Sequence, residues 1–401
     1  MADIGVNARK AARGGPEIGC PVERGQDGVW RVRGYAAGLA MLRSAGTRQA
    51  GLGIETIEKL PARIRRPVLY RDGPEHREHR RQTARYFTPR RVDEHYREVM
   101  VRVAETQLAE LRRAGRKQLT ELSFPLAIEV VSAVIGLTNS RPGIQRRLDR
   151  FFPEKFGKPG LTSVSGVYWT IRQTSAWLRL YFGDVRPAVR ARRRERQDDL
   201  ISHLLDEGCT DGEILGECLT FAAAGMITAR EFVNVAAWHL FTDNLLLERY
   251  RTAAESDRLA ILREMLRLEP VIGNLLRRTT TAVEVPTADG GTVTVPPGEL
   301  VDIVLSVANL DPKAMGAHPS TVRPVRPVAE GVIDVGLSFG AGPHKCPGVH
   351  IAMLETDIFL SRLFALDGVR MAAPPRVSFN EEINSYELRG LEVVLPQPDA
   401  I

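Results

Sequence analysis

Cys346 stands at the end of the run Phe339-Gly340-Ala341-Gly342-Pro343-His344-Lys345 and is followed by Pro347-Gly348, so one sulfur closes a glycine-punctuated loop. The segment after it, Val349 to Leu366, is amphipathic and reads as a helix. A sulfur so placed lies at a helix N-terminus, and the glycines let the backbone fold back and aim N–H groups at it. Such donors favour a thiolate, the form that binds metals and attacks electrophiles. The other cysteines, Cys20, Cys209 and Cys218, form neither a C-x-x-C pair nor a dense framework, which fits reduced thiols.

Four further patterns carry chemistry. His76 and Arg80 fall at i and i+4 behind the turn Asp72-Gly73-Pro74, on one helix face, where two donor groups suit a carboxylate. A long apolar helix from Ile214 to about Leu240 contains Ala222-Ala223-Ala224-Gly225-Met226-Ile227-Thr228, whose small residues leave room for a large flat ligand. Thr228 can bond back to the carbonyl one turn earlier and open that helix locally. Glu264 and Arg267, at i and i+3, are spaced to pair. In the extended stretch after Glu269-Pro270, Arg277 and Arg278 are adjacent, and strand alternation points only one of them inward.

The spacing Phe-x-x-Gly-x-x-x-Cys-x-Gly at Phe339 to Gly348 resembles the haem-ligand loop of the cytochrome P450 family, soluble bacterial type. H-x-x-x-R at His76, A-G-x-x-T at Ala224 and E-x-x-R at Glu264 match further family motifs, in family order, within a resemblance that spans Trp30 to Leu395. It implies a mainly α fold, a single domain of helices with a small β-rich lobe, and haem b as cofactor. By the same resemblance Cys346 is the axial thiolate on iron, and His76, Arg80, Arg277 and His344 contact the haem propionates. Ala224, Gly225, Phe339 and Gly348 shape the cofactor site, Thr228 assists oxygen activation, and Glu264 and Arg267 hold the proximal structure. Met226, Gly273, Asn274, Leu275 and Tyr386 fall where the family lines its substrate pocket.

The implied activity is monooxygenation: O2, with electrons from a separate donor such as a ferredoxin and its reductase, oxidises a small, largely apolar substrate. Arg77, Arg81 and Lys345 are candidates to dock an acidic donor. Two departures from the pattern stand out. Ile227 occupies the position where the family often has Asp or Glu before the threonine, and Leu310 replaces the arginine of A-N-R-D-P at Ala308 to Pro312. The missing acid leaves open oxidative coupling, desaturation or peroxide-driven chemistry, and a non-catalytic haem or ligand-binding protein is the remaining alternative. Arg230 and Glu231 could relay protons through water, although ion pairing is their commoner use.

The chain of 401 residues is 43% hydrophobic and 26% charged, values of a globular protein, and no linker-like segment divides it. We read residues 1–28 as an irregular arm and 29–401 as the haem-thiolate domain. The formal net charge of +6 comes with arginine clusters, among them Arg63 to Arg66 and Arg192 to Arg194, which read as a solvated face. No basic stripe is interleaved with aromatics, and no apolar run spans a bilayer, so neither nucleic acid nor membrane is expected and the location is read as cytoplasmic. Val29 to Arg33 reads as a strand leading into a helix through Leu42, Gly51 to Leu60 as a loop with a short helix, and Pro67 to Tyr70 as extended. Thr88 to Arg91 reads as the stop of the His76 helix, and helical periodicity runs on through Ile135. Thr210 is an N-cap candidate, Thr292 to Val295 suggests a hairpin, and Asn384 to Leu391 a second one. The aromatics between Thr138 and Asp184, including Phe151, Phe156, Tyr168, Trp169, Trp177, Tyr181 and Phe182, read mostly as core.

Overall fold

The long apolar stretch forms one continuous helix from Asp211 to Thr242, interrupted by a π-helical turn over Ala222–Ile227. Its start is set locally. Thr210 accepts from the Glu213 N–H while the Glu213 carboxylate accepts from the Thr210 N–H, a complete capping box. Against it pack helices Leu119–Ile135, Glu255–Leu268 and Val349–Phe364, with Arg97–Ala114 packed on the first and last of these, and their apolar faces build one large core. The computed structural model describes residues 9–10, 19–58, 61, 64–152, 157, 160, 162–380 and 385–396. Arg63, Phe156 and Asn384, and most of the expected arm, lie outside these.

A smaller β lobe has its own core, with Val32, Met41, Val285, Val301 and Ile303. Its five-stranded sheet runs Val22–Arg24, Trp30–Val32, Leu300–Val304, Asn274–Thr279, Thr47–Gln49, antiparallel except where Trp30–Val32 lies parallel to Leu300–Val304. The chain therefore joins the sheet from Val22, within the stretch read as an irregular arm. Hairpins join Val283–Pro286 to Thr292–Val295 and Arg376–Asn380 to Ser385–Arg389. A three-stranded sheet pairs Glu392–Val394 with both Arg116–Gln118 and Arg370–Ala373.

Four local expectations are corrected. Val68–Tyr70 is a 3-10 turn rather than an extended stretch, because its ends are tied elsewhere: the Val68 N–H donates to Glu217 Oε1 and the Tyr70 hydroxyl to the Leu52 carbonyl. Thr88 opens a helix, its Oγ1 accepting from the Arg91 N–H, and the preceding helix already stops at Thr83. The aromatics near Val164–Leu180 are not mostly core. Tyr168 is 60% and Phe182 44% exposed: helix Val164–Leu180 buries only the side with Gly166, Ala176 and Leu180, and Phe182 lies in the π-helical turn after it. Arg192 is no solvated charge: it is buried, its guanidinium paired with Asp199 and bonded to Thr138 Oγ1.

Helix Gly73–Thr83 carries His76, His79 and Arg80. Burial, with Arg71 and Arg65 nearby, pushes the His79 pKa down to about 3. The unfolded chain takes a proton near pH 6.5 that the folded chain refuses, so this contribution is intact above pH 6.5 and is lost as pH falls toward 3. With EDTA present, the unfolding free energy should fall across that window by up to about 1.4 kcal/mol per pH unit from this residue. Urea melts at several pH values should show a shallower loss in His79→Gln; equal slopes in both proteins would refute the assignment.

Candidate active site

The cysteine loop is held from beneath by a buried ion pair. Arg267, 0% exposed, donates to both Glu264 oxygens at 2.6 and 2.9 Å and to the carbonyls of Asn309 and Pro319 at 2.9 and 2.7 Å. Asn309 passes the constraint on: its Oδ1 accepts from the Leu337 N–H at 2.7 Å, and its Nδ2 donates to Ser338 Oγ at 2.8 Å. Arg326, which the sequence did not single out, lies 3.2 Å from Glu264 and bonds the carbonyls of Met315, Ala317, His318 and Thr321. Gly342, with φ of 66°, abuts the Leu42 carbonyl so closely that any Cβ would collide with it. The Phe339 carbonyl accepts from the Cys346 N–H at 2.9 Å and closes the loop.

Cys346 is half-buried, two residues before Gly348, which caps the Val349–Phe364 helix. Burial pushes its thiol pKa up, while the Gly348 N–H and the charges of Arg80 and Lys345 pull it down. A thiolate there gains most from a metal ion, whose own charge removes the burial penalty.

Next to the sulfur lies a cradle of basic groups. Arg80 donates to the Lys345 carbonyl at 2.5 Å. His76, 2% exposed, stacks on His344 with ring centroids 4.1 Å apart. Burial, then the His344 and Arg80 charges, push the His76 pKa down to about 4. His344 Nε2 lies 2.8 Å from Asp72 Oδ1, and although burial raises the Asp72 pKa, that contact and its charge hold it below the usual carboxylate range. Arg277 is 3% exposed and donates to the Leu276 carbonyl; burial pushes it down to about 10, with Asp72 opposing. Among the described residues neither Arg277 nor Arg80 has an ion-pair partner, and His76 Nδ1 has no hydrogen bond. Arginines without carboxylate partners and an imidazole nitrogen without a hydrogen bond, beside a sulfur, fit a group that carries anionic arms and a metal. Arg278 points the other way, to the Gly298 carbonyl. Asp72 is the cradle's own carboxylate, which sequence reasoning missed.

On the long helix, the Thr228 hydroxyl donates to the Ala224 carbonyl at 2.5 Å, within the π-helical turn. Ala224 is exposed and Thr228 half-buried at i and i+4, so the two share a face. Met226 is 1% exposed and packs into the main core. The open side of Gly225 faces Val131, whose Cγ2 would lie 2.7 Å from an added Cβ, so this glycine lets helix Leu119–Ile135 approach closely. Glu231, 0% exposed, lies 2.9 Å from Arg230 and 2.7 Å from Arg389 and accepts from the Leu388 N–H.

The pocket candidates separate by face. Leu275 shares the Arg277 side of its strand, and its Cδ1 lies 3.6 Å from where a Gly340 Cβ would stand. Asn274 lies on the opposite side, its Nδ2 bonded to both Asp302 oxygens at 2.7 and 2.8 Å. The Gly273 carbonyl accepts from the Leu305 N–H, and the buried Tyr386 hydroxyl donates to the Glu269 carbonyl at 3.1 Å.

A family model described as Cytochrome P450 matches residues 259–366, which include Glu264, Arg267, Arg277 and the whole cysteine loop. Cytochrome P450 107B1 of Saccharopolyspora erythraea is 30% identical over 358 residues, covering 83% of this chain and 77% of that protein. The chain belongs to the cytochrome P450 family. As a P450 it uses haem, with a cysteine thiolate on iron, as a monooxygenase acting on small molecules with O2 and redox partners. It is also similar to the nocardicin C N-oxygenase of Nocardia uniformis subsp. tsuyamanensis, 29% identical, with 77% of this chain and 74% of that protein covered. The P450 fold matches the crystal structure of a P450 EryK mutant with erythromycin B at a TM-score of 0.74 and 23% identity, covering 95% of this chain and 94% of that one. P450BioI in complex with ligated acyl carrier protein matches at 0.73 and 22%, covering 94% and 95%. No helix among the described residues is long and apolar enough to cross a membrane.

The Glu264–Arg267 pair supports the loop without touching the sulfur. Arg267→Met should leave Glu264 buried and short of its main partner, at a cost of about 3–5 kcal/mol. Urea denaturation and haem content per chain should both fall; unchanged stability would remove the pair from this role.

Proposed function

We propose that Cys346 is the thiolate ligand of haem b in this P450, and that His76, Arg80, Arg277 and His344 hold its propionates. The observation that carries the reading is the cradle beside the loop. Arg80 and Arg277 lack ion-pair partners among the described residues, His76 lacks a bond at Nδ1, and all three lie close to the sulfur or to Asp72. Two carboxylates from a flat cofactor would satisfy these donors. Bound there, haem supplies the O2-activating chemistry. Phe339 and Gly348 would shape the sulfur side, and Ala224 and Thr228 the opposite one.

On that opposite side Thr228 would present a hydroxyl whose proton is held toward Ala224 and can be turned to the substrate side. Leu275, on the Arg277 face, is the pocket candidate with the strongest geometric support, while Met226, Gly273, Asn274 and Tyr386 would act through packing behind the site. We read the chain as a single haem domain that takes in the sheet strand from Val22, cytoplasmic, reduced by a separate ferredoxin and its reductase. Arg77, on the His76 helix, and Lys345, next to Cys346 in the chain, are exposed, and Arg81 is engaged by Glu78 at 2.6 Å. An acidic donor suits such a surface. Natural-product substrates fit the relatives' printed activities, which include N-oxygenation of nocardicin C and epoxidation of cyclomarin C.

A second reading, coupling, desaturation or peroxide-driven oxidation in place of oxygen insertion, is favoured by one observation. Ile227 leaves no carboxylate beside Thr228, and Glu231, the next acid along the helix, is fully occupied by Arg230, Arg389 and the Leu388 N–H.

The reduced, carbon-monoxide-bound spectrum of purified wild type should show the red-shifted Soret band of a thiolate ligand, and Cys346→Ala should lose it. Persistence of the band in the variant would overturn the ligand assignment. With a turned-over substrate, labelled O2 should enter the product, and Thr228→Ala should lower product formed per electron consumed by about 10²-fold. Product two hydrogens lighter, with no label, would establish the second reading instead.

A further inference from the structure

Helix Gly73–Thr83 carries one histidine that the sulfur and its cradle do not use. His79 is 1% exposed, and neither of its ring nitrogens has a hydrogen-bond partner among the described residues. Burying an imidazole with both nitrogens unpaired costs desolvation without return, so such a group is best explained by something that bonds it. Two other ligand-type groups are within reach. A ring nitrogen of His79, a ring nitrogen of His203 and a carboxylate oxygen of Glu207 all lie within 4.8 Å of one another. His203 and Glu207 are one turn apart at the end of helix Leu200–Asp206, the i, i+4 spacing that lets two side chains chelate one ion. His203 Nε2, also without a hydrogen bond, lies 3.7 Å from Glu207 Oε1. The other Glu207 oxygen lies 2.6 Å from Arg65 Nη1, which leaves Oε1 turned to the histidines.

We propose that His79, His203 and Glu207 form a divalent transition-metal site, of zinc type, that clamps the His76-bearing helix to helix Leu200–Asp206. Two imidazoles and one carboxylate suit a borderline cation such as Zn2+, whereas Ca2+ and Mg2+ take oxygen sets. Both histidines are depressed by burial, so they are neutral and ready to donate a lone pair at ordinary pH. A tetrahedral zinc needs its ligand atoms about 3.3 Å apart, so the three side chains close inward on the ion and a water completes the shell. Arg65 and Arg71 repel a cation here, and the Glu207 charge, shared with Arg65, only partly offsets them. The site is therefore weaker than a closed cysteine-rich one. Its consequence is positional, because His76 and Arg80 flank His79 on the same helix. An ion fixing His79 stiffens the element that carries two of the cradle's basic groups.

The test uses the full-length, haem-loaded chain with any affinity tag removed, stripped with EDTA and titrated with Zn2+ by calorimetry. Retained metal is then counted by plasma mass spectrometry after desalting. The expected result is one zinc per chain and a higher melting temperature with zinc. His203→Ala and Glu207→Gln, both at partly exposed positions, should each weaken binding about tenfold or more at unchanged haem content. Wild-type protein that retains well under one zinc per chain overturns the proposal, and so does binding of equal strength in both variants.

Discussion

A guanidinium with no contact to solvent holds the reactive end of this molecule in place. Arg267 binds Glu264 and the carbonyls of Asn309, Pro319 and Thr321, and Asn309 carries the constraint to Leu337 and Ser338, where the cysteine loop begins. A buried pair of this kind contributes little net stability against an apolar replacement, yet breaking it strands a charge. Its value here lies in specificity of position. Every carbonyl that Arg267 and Arg326 bind is fixed in direction, and the loop inherits that geometry.

The cradle beside the loop shows the opposite arrangement, basic groups brought together with too few acids. His76 and His344 stack, Arg80 reaches the Lys345 carbonyl, and Arg277 is buried without an ion-pair partner among the described residues. Burial lowers the pKa of His76, Arg80 and Arg277 alike. Asp72 relieves part of this repulsion from the start of the His76 helix. Binding an anionic partner would relieve the rest.

The long central helix serves both needs. Its π-helical turn frees the backbone around Ala224 and lets the Thr228 hydroxyl bond there, while Gly225 faces Val131 and allows two helices to touch. Three residues on, Glu231 anchors the helix to the hairpin strand Ser385–Arg389. The same helix thus presents a polar opening on one face and a structural tie on another, separated by a single turn.

The sequence alone determined the features whose cause is local. The Thr210 cap, the helix-opening Thr228, the Glu264–Arg267 pair and the alternation that lets only one of Arg277 and Arg278 point inward follow from spacings of one to four residues, where backbone geometry fixes what can meet. The cysteine loop was legible because glycines and one sulfur at fixed offsets leave few alternatives. Only the tertiary structure decided what depended on distant partners. Asp72 meets His344 across 272 positions, Asn309 reaches Ser338, and Arg326 joins Glu264 across 62. The 3-10 turn at Val68–Tyr70, the burial of Arg192 and the exposure of Tyr168 were set in the same way, by neighbours whose approach no local pattern encodes. Hydrogen bonds and burial act through space, so a residue's use is fixed by where the chain returns, whereas helix caps, periodicity and strand alternation act along it.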